Sequence, residues 1–268
     1  MRCRNIFLDV GANTGQTLQA VRDQGFEKIV CFEPSRLCWP KLTAMAETVS
    51  PQCTVQLEKF GLWNKTCEAL LLEPGRAGAS LWKKDKSVLD TTELCLFHRA
   101  SEWFAEHLTG DETVFLKLNC EGAECDILDD LFDSGEFDKV SYALICFDAH
   151  KIASQKHREG EIRARLARWT LPRIAISKGF LVGATHTERI CFWLNLLPPW
   201  RGTTHTTRFS PMHLDRYQAH YAQHSARERP HRWQGIVERL SGELGAISVL
   251  DYGCGPAANL ARFSALHV

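Results

Sequence analysis

The stretch FLDVGANTGQTL, residues 7–18, decides the fold. In it an apolar run ends around Asp9, a loop of glycines and small residues follows, and a helix then begins. A second stretch, VLDYGCGPAANL at residues 249–260, aligns with the first without a gap at the Asp. A buried strand that turns through glycines into a helix is the opening unit of an α/β sheet. The sequence therefore predicts one such unit near each end of the chain.

Strand and helix patterns alternate after the first unit. Apolar strand patterns recur at residues 28–34, 53–63, 113–119 and 139–150, and helical patterns lie between them. Residues 179–196 have the pattern of an antiparallel C-terminal hairpin. Alternation of this kind predicts an α/β fold with a mostly parallel sheet of seven strands and helices on both faces.

The chain is predicted to have three parts. Residues 1–197 carry the alternating pattern and form an α/β domain. Residues 198–245 contain two adjacent prolines and then a polar helical pattern, so we expect a linker and a polar helical segment. Residues 246–268 repeat the strand and loop of the first unit without the strands that should follow. They are predicted to be the incomplete start of a second domain of the same kind.

The composition disfavours several classes of function. Lys and Arg together number 32, as do Asp and Glu, and this balance disfavours a nucleic-acid partner. The 11 cysteines include no CxxC pair, which favours free thiols in a reducing compartment over a metal site. Charges interrupt every apolar run before the ~20 residues that a membrane span needs, and Asp9 interrupts a possible signal peptide. We therefore expect a cytoplasmic protein with no membrane partner and no metal.

The loop after Asp9 has the pattern G-x-x-x-G, which places open backbone amides where a ligand can approach. A dinucleotide-binding loop has G-x-G-x-x-G, and here Asn13 stands at the middle glycine. Asp9 repels a pyrophosphate but suits an ammonium group, which S-adenosylmethionine carries. Glu33 ends the second strand at about the 20-residue separation expected of a ribose-binding acid. These residues favour S-adenosylmethionine, with a nicotinamide-dependent dehydrogenase or a simple tight turn as alternatives.

A third stretch, FLKLNCEGAECDIL at residues 115–128, resembles the L-K-I-D-x-E-G-x-E signature of the FkbM-type methyltransferase family. The resemblance extends over most of residues 1–197 through DVGANTG, CFEP, KFGLWNK and ICFDAH. It implies the Rossmann-like class I methyltransferase fold. It also implies S-adenosylmethionine-dependent methylation of a hydroxyl oxygen in a sugar, glycan or natural product, so the expected partner is a small-molecule or glycan acceptor.

The resemblance also implies roles for individual residues. Leu62 would flank the adenine, and the motif residues Lys117, Asn119, Glu121 and Glu124 would face the methyl group. Asn119 stands where the family has Asp, and the lost carboxylate raises the alternative of a catalytically weak or inactive cofactor-binding module. The implied cofactor-binding residues are Asp9, Gly11, Ala12, Asn13, Thr14, Gly15, Glu33, Pro34, Leu62 and Asn119.

Methyl transfer from a sulfonium ion is an in-line displacement, so it mainly requires alignment of the acceptor oxygen. A base assists because the hydroxyl loses its proton. Asp148 and His150 follow the fifth predicted strand, at the edge where open α/β sheets bind ligands. His150 with Asp148 is therefore the predicted base, and Glu121 is its rival. The alternative is that His150 caps the next helix or lies in a surface loop.

Overall fold

The computed structural model describes residues 5–83, 91–169, 173–177 and 185–197. Within these ranges the strands are β1 (Asn5–Val10), β2 (Lys28–Phe32), β3 (Thr54–Glu58), β4 (Gly61–Trp63), β5 (Cys67–Leu72), β6 (Thr92–Arg99), β7 (Thr113–Leu118), β8 (Val140–Ile145) and β9 (Ile174–Ile176). The α-helices in the same ranges are α1 (Gln16–Val21), α2 (Trp39–Ala46), α3 (Ala100–His107), α4 (Glu124–Ser134), α5 (Arg158–Leu166) and α6 (His186–Leu196).

The larger sheet contains six parallel strands in the order β3-β2-β1-β7-β8-β9. Every residue of the central strand β1 is buried, as expected of a parallel sheet covered on both faces. Leu8 packs on one face among residues of α3 and α4, and Phe7 packs on the other face with α1 and with Trp193 of α6. The predicted α/β architecture with helices on both faces is confirmed.

The register of the central strands brings three loops together. Val10 at the end of β1 pairs with Phe32 of β2 and with Leu118 of β7. The residues that follow these three strands therefore emerge side by side at the carboxyl edge of the sheet. This edge is the usual position of ligands in open α/β sheets.

The predicted strand at residues 53–63 forms two strands in different sheets. β3 is an outer strand of the large sheet, whereas β4 belongs to a small sheet with the order β4-β6-β5. Gly61 allows this change of sheet because its backbone lies against a ring, where an added Cβ would be 2.5 Å from Phe97. Strand β6, which joins the small sheet together, was not predicted.

Ser35 follows Pro34 in a position that suits a cap for the second helix, but α2 begins at Trp39 and its N-cap is Cys38. The Ser35 hydroxyl instead donates to the buried carboxylate of Glu93 at 2.8 Å. A hydrogen bond to a buried charge is stronger than a helix cap made at the surface. Ser35 therefore ties the end of β2 to strand β6.

The predicted C-terminal hairpin is wrong in its second half. Residues 186–196 form helix α6, which begins at a capping box between Thr185 and Glu188. The pattern was ambiguous because its apolar residues also suit a helix, which buries Trp193 and Leu194 against α1. The position beside β8 is taken by the short parallel strand β9. The first half of the hairpin (179–184), the segment 198–245 and the second unit (246–268) lie outside the described residues.

Two further findings concern the described residues as a group. Their nine cysteines are all free, and burial raises the pKa of several of these thiols, Cys31 and Cys120 among them. No helix in the described ranges has the length and apolar character needed to cross a membrane.

Candidate functional site

The loop between β1 and α1 lies directly against the loop that follows β7. Gly11 has a φ of +83°, and an added Cβ would lie 2.0 Å from the carbonyl oxygen of Asn119. Only glycine combines this backbone conformation with so close an approach. The contact between the two loops therefore requires glycine at position 11. Gly15 has a φ of +92° and lies behind the loop, against Met45 and Leu42.

The backbone amides of this loop are all bonded within the chain. Those of Gly11 and Ala12 donate to the carbonyl of Phe32, and that of Gly15 donates to Ala12. The amide of Asn13 donates to Glu33, and that of Thr14 donates to the side chain of Asn13. The expectation of open amides is therefore wrong, and the loop offers none of them to a pyrophosphate.

Glu33 lies beneath the loop at the end of β2 and is only 5% exposed. Its Oε2 accepts from the Asn13 amide at 2.8 Å, and its Oε1 accepts from the Ser35 amide at 2.9 Å. Burial raises the pKa of Glu33, although these two donors oppose the shift. A carboxylate has about four acceptor positions, so each oxygen retains capacity for a ligand hydroxyl.

Asp9 and Lys117 form an ion pair inside the sheet, 2.9 Å apart, with both side chains almost fully buried. Lys117 also donates to the carbonyl of Gly11 at 2.9 Å. Burial lowers the pKa of Lys117, but Asp9 reverses the shift, so the net pKa is raised. The charge of Asp9 is compensated, and Asp9 lines neither of the two cavities described below, which removes the argument that this carboxylate attracts an ammonium group directly.

A cavity of about 310 Å³ opens at the carboxyl ends of β1, β2 and β7. One wall is apolar and includes Leu71, Leu81 and Phe97, while Gln16, Thr17 and Lys117 contribute to the polar lining. Of the predicted cofactor-binding residues, Asp9, Thr14 and Gly15 do not line this cavity. Those that do are Gly11, Ala12, Asn13, Glu33, Pro34, Leu62 and Asn119, and of the predicted catalytic residues Glu121 lines it.

A second cavity, of about 180 Å³, adjoins the first. Asn119, His186 and Arg189 line both cavities, and Asp148 lines the second. The Oδ1 atom of Asn119 is buried and accepts no hydrogen bond from any described residue. An unbonded buried acceptor is costly in a folded protein, so a ligand with a donor group suits this position.

His150, the predicted base, is not among the residues that line either cavity. Its Nδ1 lies 3.8 Å from Glu159, and its side chain is 38% exposed. The other two candidates are closer to the cavities, because Glu121 lines the first and Asp148 lines the second. The ammonium of Lys151 links them, at 3.3 Å from Glu121 and 2.6 Å from Asp148.

Glu124 holds the loop that carries Glu121. Its buried carboxylate accepts from the backbone amides of Cys120 and Gly122, at 2.8 and 2.9 Å. Burial, with the nearby charge of Asp148, raises the pKa of Glu124 to about 7. These bonds support Glu121 in a left-handed conformation, with a φ of 52°. Glu124 therefore acts on the cavity through the backbone and does not line it.

His186 is a cavity residue that sequence reasoning missed. It is the first residue of α6, and its Nε2 lies 2.9 Å from the hydroxyl of the buried Thr17 on α1. Burial, and to a smaller extent the positive charge of Lys117, lowers the pKa of His186 to about 4, so its ring is neutral at pH 7. The capping-box pattern T-x-x-E at Thr185 and Glu188 is a helix-start signal that pointed to this position.

We expect His186 to make the protein acid-sensitive. Because its folded-state pKa is about 4 and an unfolded His titrates near 6.5, the unfolded state binds the proton first. The neutral ring therefore makes its full contribution to the free energy of unfolding above pH ~6.5, and this contribution decreases as the pH falls toward ~4. Lys117, Asp9 and Arg189 are the charges that act on the ring.

Thermal unfolding of the wild type and His186→Gln at pH 7.5 and pH 5 measures this effect. Relative to the wild type, the variant should be more stable at pH 5 than at pH 7.5, because it lacks the group that protonates on unfolding. Glu124 is present in both proteins, so its opposite contribution cancels in the difference. An equal difference in melting temperature at the two pH values would contradict the expectation.

Within the described residues, no group of three or more His, Cys, Asp or Glu side chains is arranged to hold a metal ion. The chain matches no protein-family model, and comparison with curated proteins and with solved structures also found no match. The residues that line the two cavities are therefore the basis for assigning a function.

Proposed function

We propose that the protein is a class I methyltransferase that binds S-adenosylmethionine and methylates a hydroxyl oxygen of a small molecule or glycan. The observation that carries the proposal is the cavity at the ends of β1, β2 and β7. It combines the carboxylate of Glu33 with an apolar wall, beside a loop without free amides. This combination suits a nucleoside that has no phosphate.

The nucleoside would lie at the β2 end of the cavity. Glu33 keeps acceptor capacity for the two ribose hydroxyls, and its bonds to Asn13 and Ser35 fix its orientation. Pro34, Leu62 and Phe97 line the same cavity and offer apolar surface to an adenine ring. Neighbouring residues therefore offer acceptors for the two ribose hydroxyls and an apolar surface for the adenine ring.

The bound cofactor supplies an electrophilic methyl group on a sulfonium. In such a transfer the acceptor oxygen would bond to that carbon as the carbon–sulfur bond breaks, and a residue of this chain would take the hydroxyl proton. Besides Glu33, the cavities are lined by the carboxylates of Glu121 and Asp148, and Lys151 holds both of these in place. We propose that one of them takes the proton, and the position of His150 outside both cavities weighs against its role as the base.

A cofactor-binding module without catalysis is the second candidate. The observation that favours it is Asn119, whose side chain is an amide where the family it resembles has a carboxylate. A nicotinamide-dependent dehydrogenase is disfavoured, because the amides of residues 11–15 are already bonded and a pyrophosphate needs such donors.

Calorimetric titration of the full-length chain tests the cofactor. S-adenosylmethionine and S-adenosylhomocysteine should bind, and NAD should bind more weakly than either. Tighter binding of NAD would overturn the proposal. Methyl transfer to an acceptor, followed with a radiolabelled methyl group, then separates the methyltransferase from the inactive module.

Glu33→Ala should weaken binding of S-adenosylhomocysteine by about 1.5–3 kcal/mol, because hydrogen bonds to a charged group are lost. Glu33→Gln keeps one oxygen acceptor and should lose less. Glu106→Ala removes an exposed carboxylate on α3 and should leave the affinity unchanged. Since Glu33 also bonds two backbone amides, the melting temperature of each variant is measured alongside the affinity. An unchanged affinity in folded Glu33→Ala would place the ribose elsewhere.

A further inference from the structure

The first cavity extends across three strands of the large sheet. Glu33 follows β2 at one end, and Asn119 follows β7, with β1 between them. Neighbouring strands are about 4.8 Å apart, so these two positions are separated by about 10 Å. A ligand whose nucleoside lies at Glu33 therefore has its other end near Asn119 and the N-terminal turn of α6.

The two ends of the cavity differ in chemistry. The end near Glu33 is acidic and apolar, whereas the other end is lined by the amide of Asn119 and the imidazole of His186. The unbonded Oδ1 of Asn119 requires a hydrogen-bond donor. A neutral imidazole that can donate, beside an unbonded acceptor, fits a group that carries both an anion and a donor, such as the zwitterionic end of an amino acid.

His186 is fixed in a position to serve that group. Its Nε2 is 2.9 Å from the Thr17 hydroxyl, and Thr17 lines the same cavity. When the hydroxyl donates to Nε2, the proton of the neutral ring resides on Nδ1, which is then a donor. Helix α6 is held by packing against α1, so the imidazole is presented on a supported element.

We infer that α6 forms the binding site for the amino-acid end of the cofactor, with His186 donating to its carboxylate and Asn119 accepting from its ammonium. The inference rests on the proposed function and adds a recognition role for α6. It makes His186 a determinant of which nucleosides bind. A nucleoside without the amino-acid end would gain nothing from this wall.

Two named ligands separate the ends of the cavity in calorimetric titrations of the full-length chain. S-adenosylhomocysteine has the amino-acid end, whereas 5′-methylthioadenosine has the same adenosine and a thioether but lacks that end. His186→Ala should weaken the binding of S-adenosylhomocysteine about tenfold or more, because a hydrogen bond to a charged group is lost. The affinity for 5′-methylthioadenosine should change by no more than about twofold, because this ligand makes no contact with His186. Glu33→Ala, the matched control at the other end, should weaken both ligands.

His186→Gln retains a side-chain donor and should recover part of the lost affinity for S-adenosylhomocysteine. Equal weakening of both ligands in His186→Ala would show that His186 only supports the cavity, and would overturn the inference. An unchanged affinity for S-adenosylhomocysteine would overturn it as well. If the wild type binds neither ligand, the proposed function fails first, and the inference fails with it.

Discussion

Gly11→Ala should destabilise the native fold severely, whereas Gly135→Ala should reduce its stability only modestly. Both glycines have almost the same left-handed conformation, with φ of +83° and +81°. An added Cβ meets nothing within 4 Å at Gly135 but lies 2.0 Å from the Asn119 carbonyl at Gly11. Comparing the two variants therefore separates the free-energy cost of the left-handed backbone conformation from the cost of steric overlap with the Asn119 carbonyl.

The conformational cost alone is about 1–2 kcal/mol, and this is the loss expected for Gly135→Ala. Overlap with a backbone carbonyl cannot be relieved by rotating a side chain, so Gly11→Ala should lose more than about 4 kcal/mol. Urea unfolding followed by circular dichroism measures both. Similar stabilities for the two variants would mean that the loops after β1 and β7 are not in the described contact.

Lys117→Met should destabilise the protein by about 3–5 kcal/mol, because it leaves the buried carboxylate of Asp9 without its partner. Asp9→Asn combined with Lys117→Met removes both charges and should recover much of that loss. The exposed pair of Arg22 and Asp23 is the control, and Arg22→Met should change stability by no more than about 1 kcal/mol.

Urea unfolding of the two single variants and the double variant forms a double-mutant cycle for the buried pair. Because Lys117 also bonds the Gly11 carbonyl, part of the loss in Lys117→Met should remain in the double variant. Full additivity of the single losses would contradict the coupling inferred from the 2.9 Å contact.

The parts of the fold that follow from local pattern were predictable from the sequence. The strands β1, β2, β7 and β8 are mainly apolar runs, and parallel alternation with helices leaves few other arrangements. Because carboxyl ends of parallel strands meet at one edge, the order of strands and loops along the chain was enough to place Gly11 and Glu33 together. Asn119 and Leu62 were placed through the family resemblance, and both line the same cavity.

What sequence reasoning missed depends on contacts between distant residues. The pairing of Asp9 with Lys117 joins adjacent strands more than a hundred positions apart in the chain. Strand β6 of the small sheet was not predicted, because it pairs with a strand on each side and neither pairing has a local signal. Residues 189–196 have a short apolar run that suits a strand and a helix equally, and their packing on α1 decides for the helix.

The hydrogen bonds within the loop at residues 11–15 bear on the energetics of recognition. A loop that must become ordered around its ligand gives up part of the binding free energy as lost conformational entropy. In this protein Phe32, Glu33 and the loop itself already fix those five residues through their amides. The free chain is thus preorganised at this rim, and affinity depends on how well a ligand complements a shape that exists before it arrives.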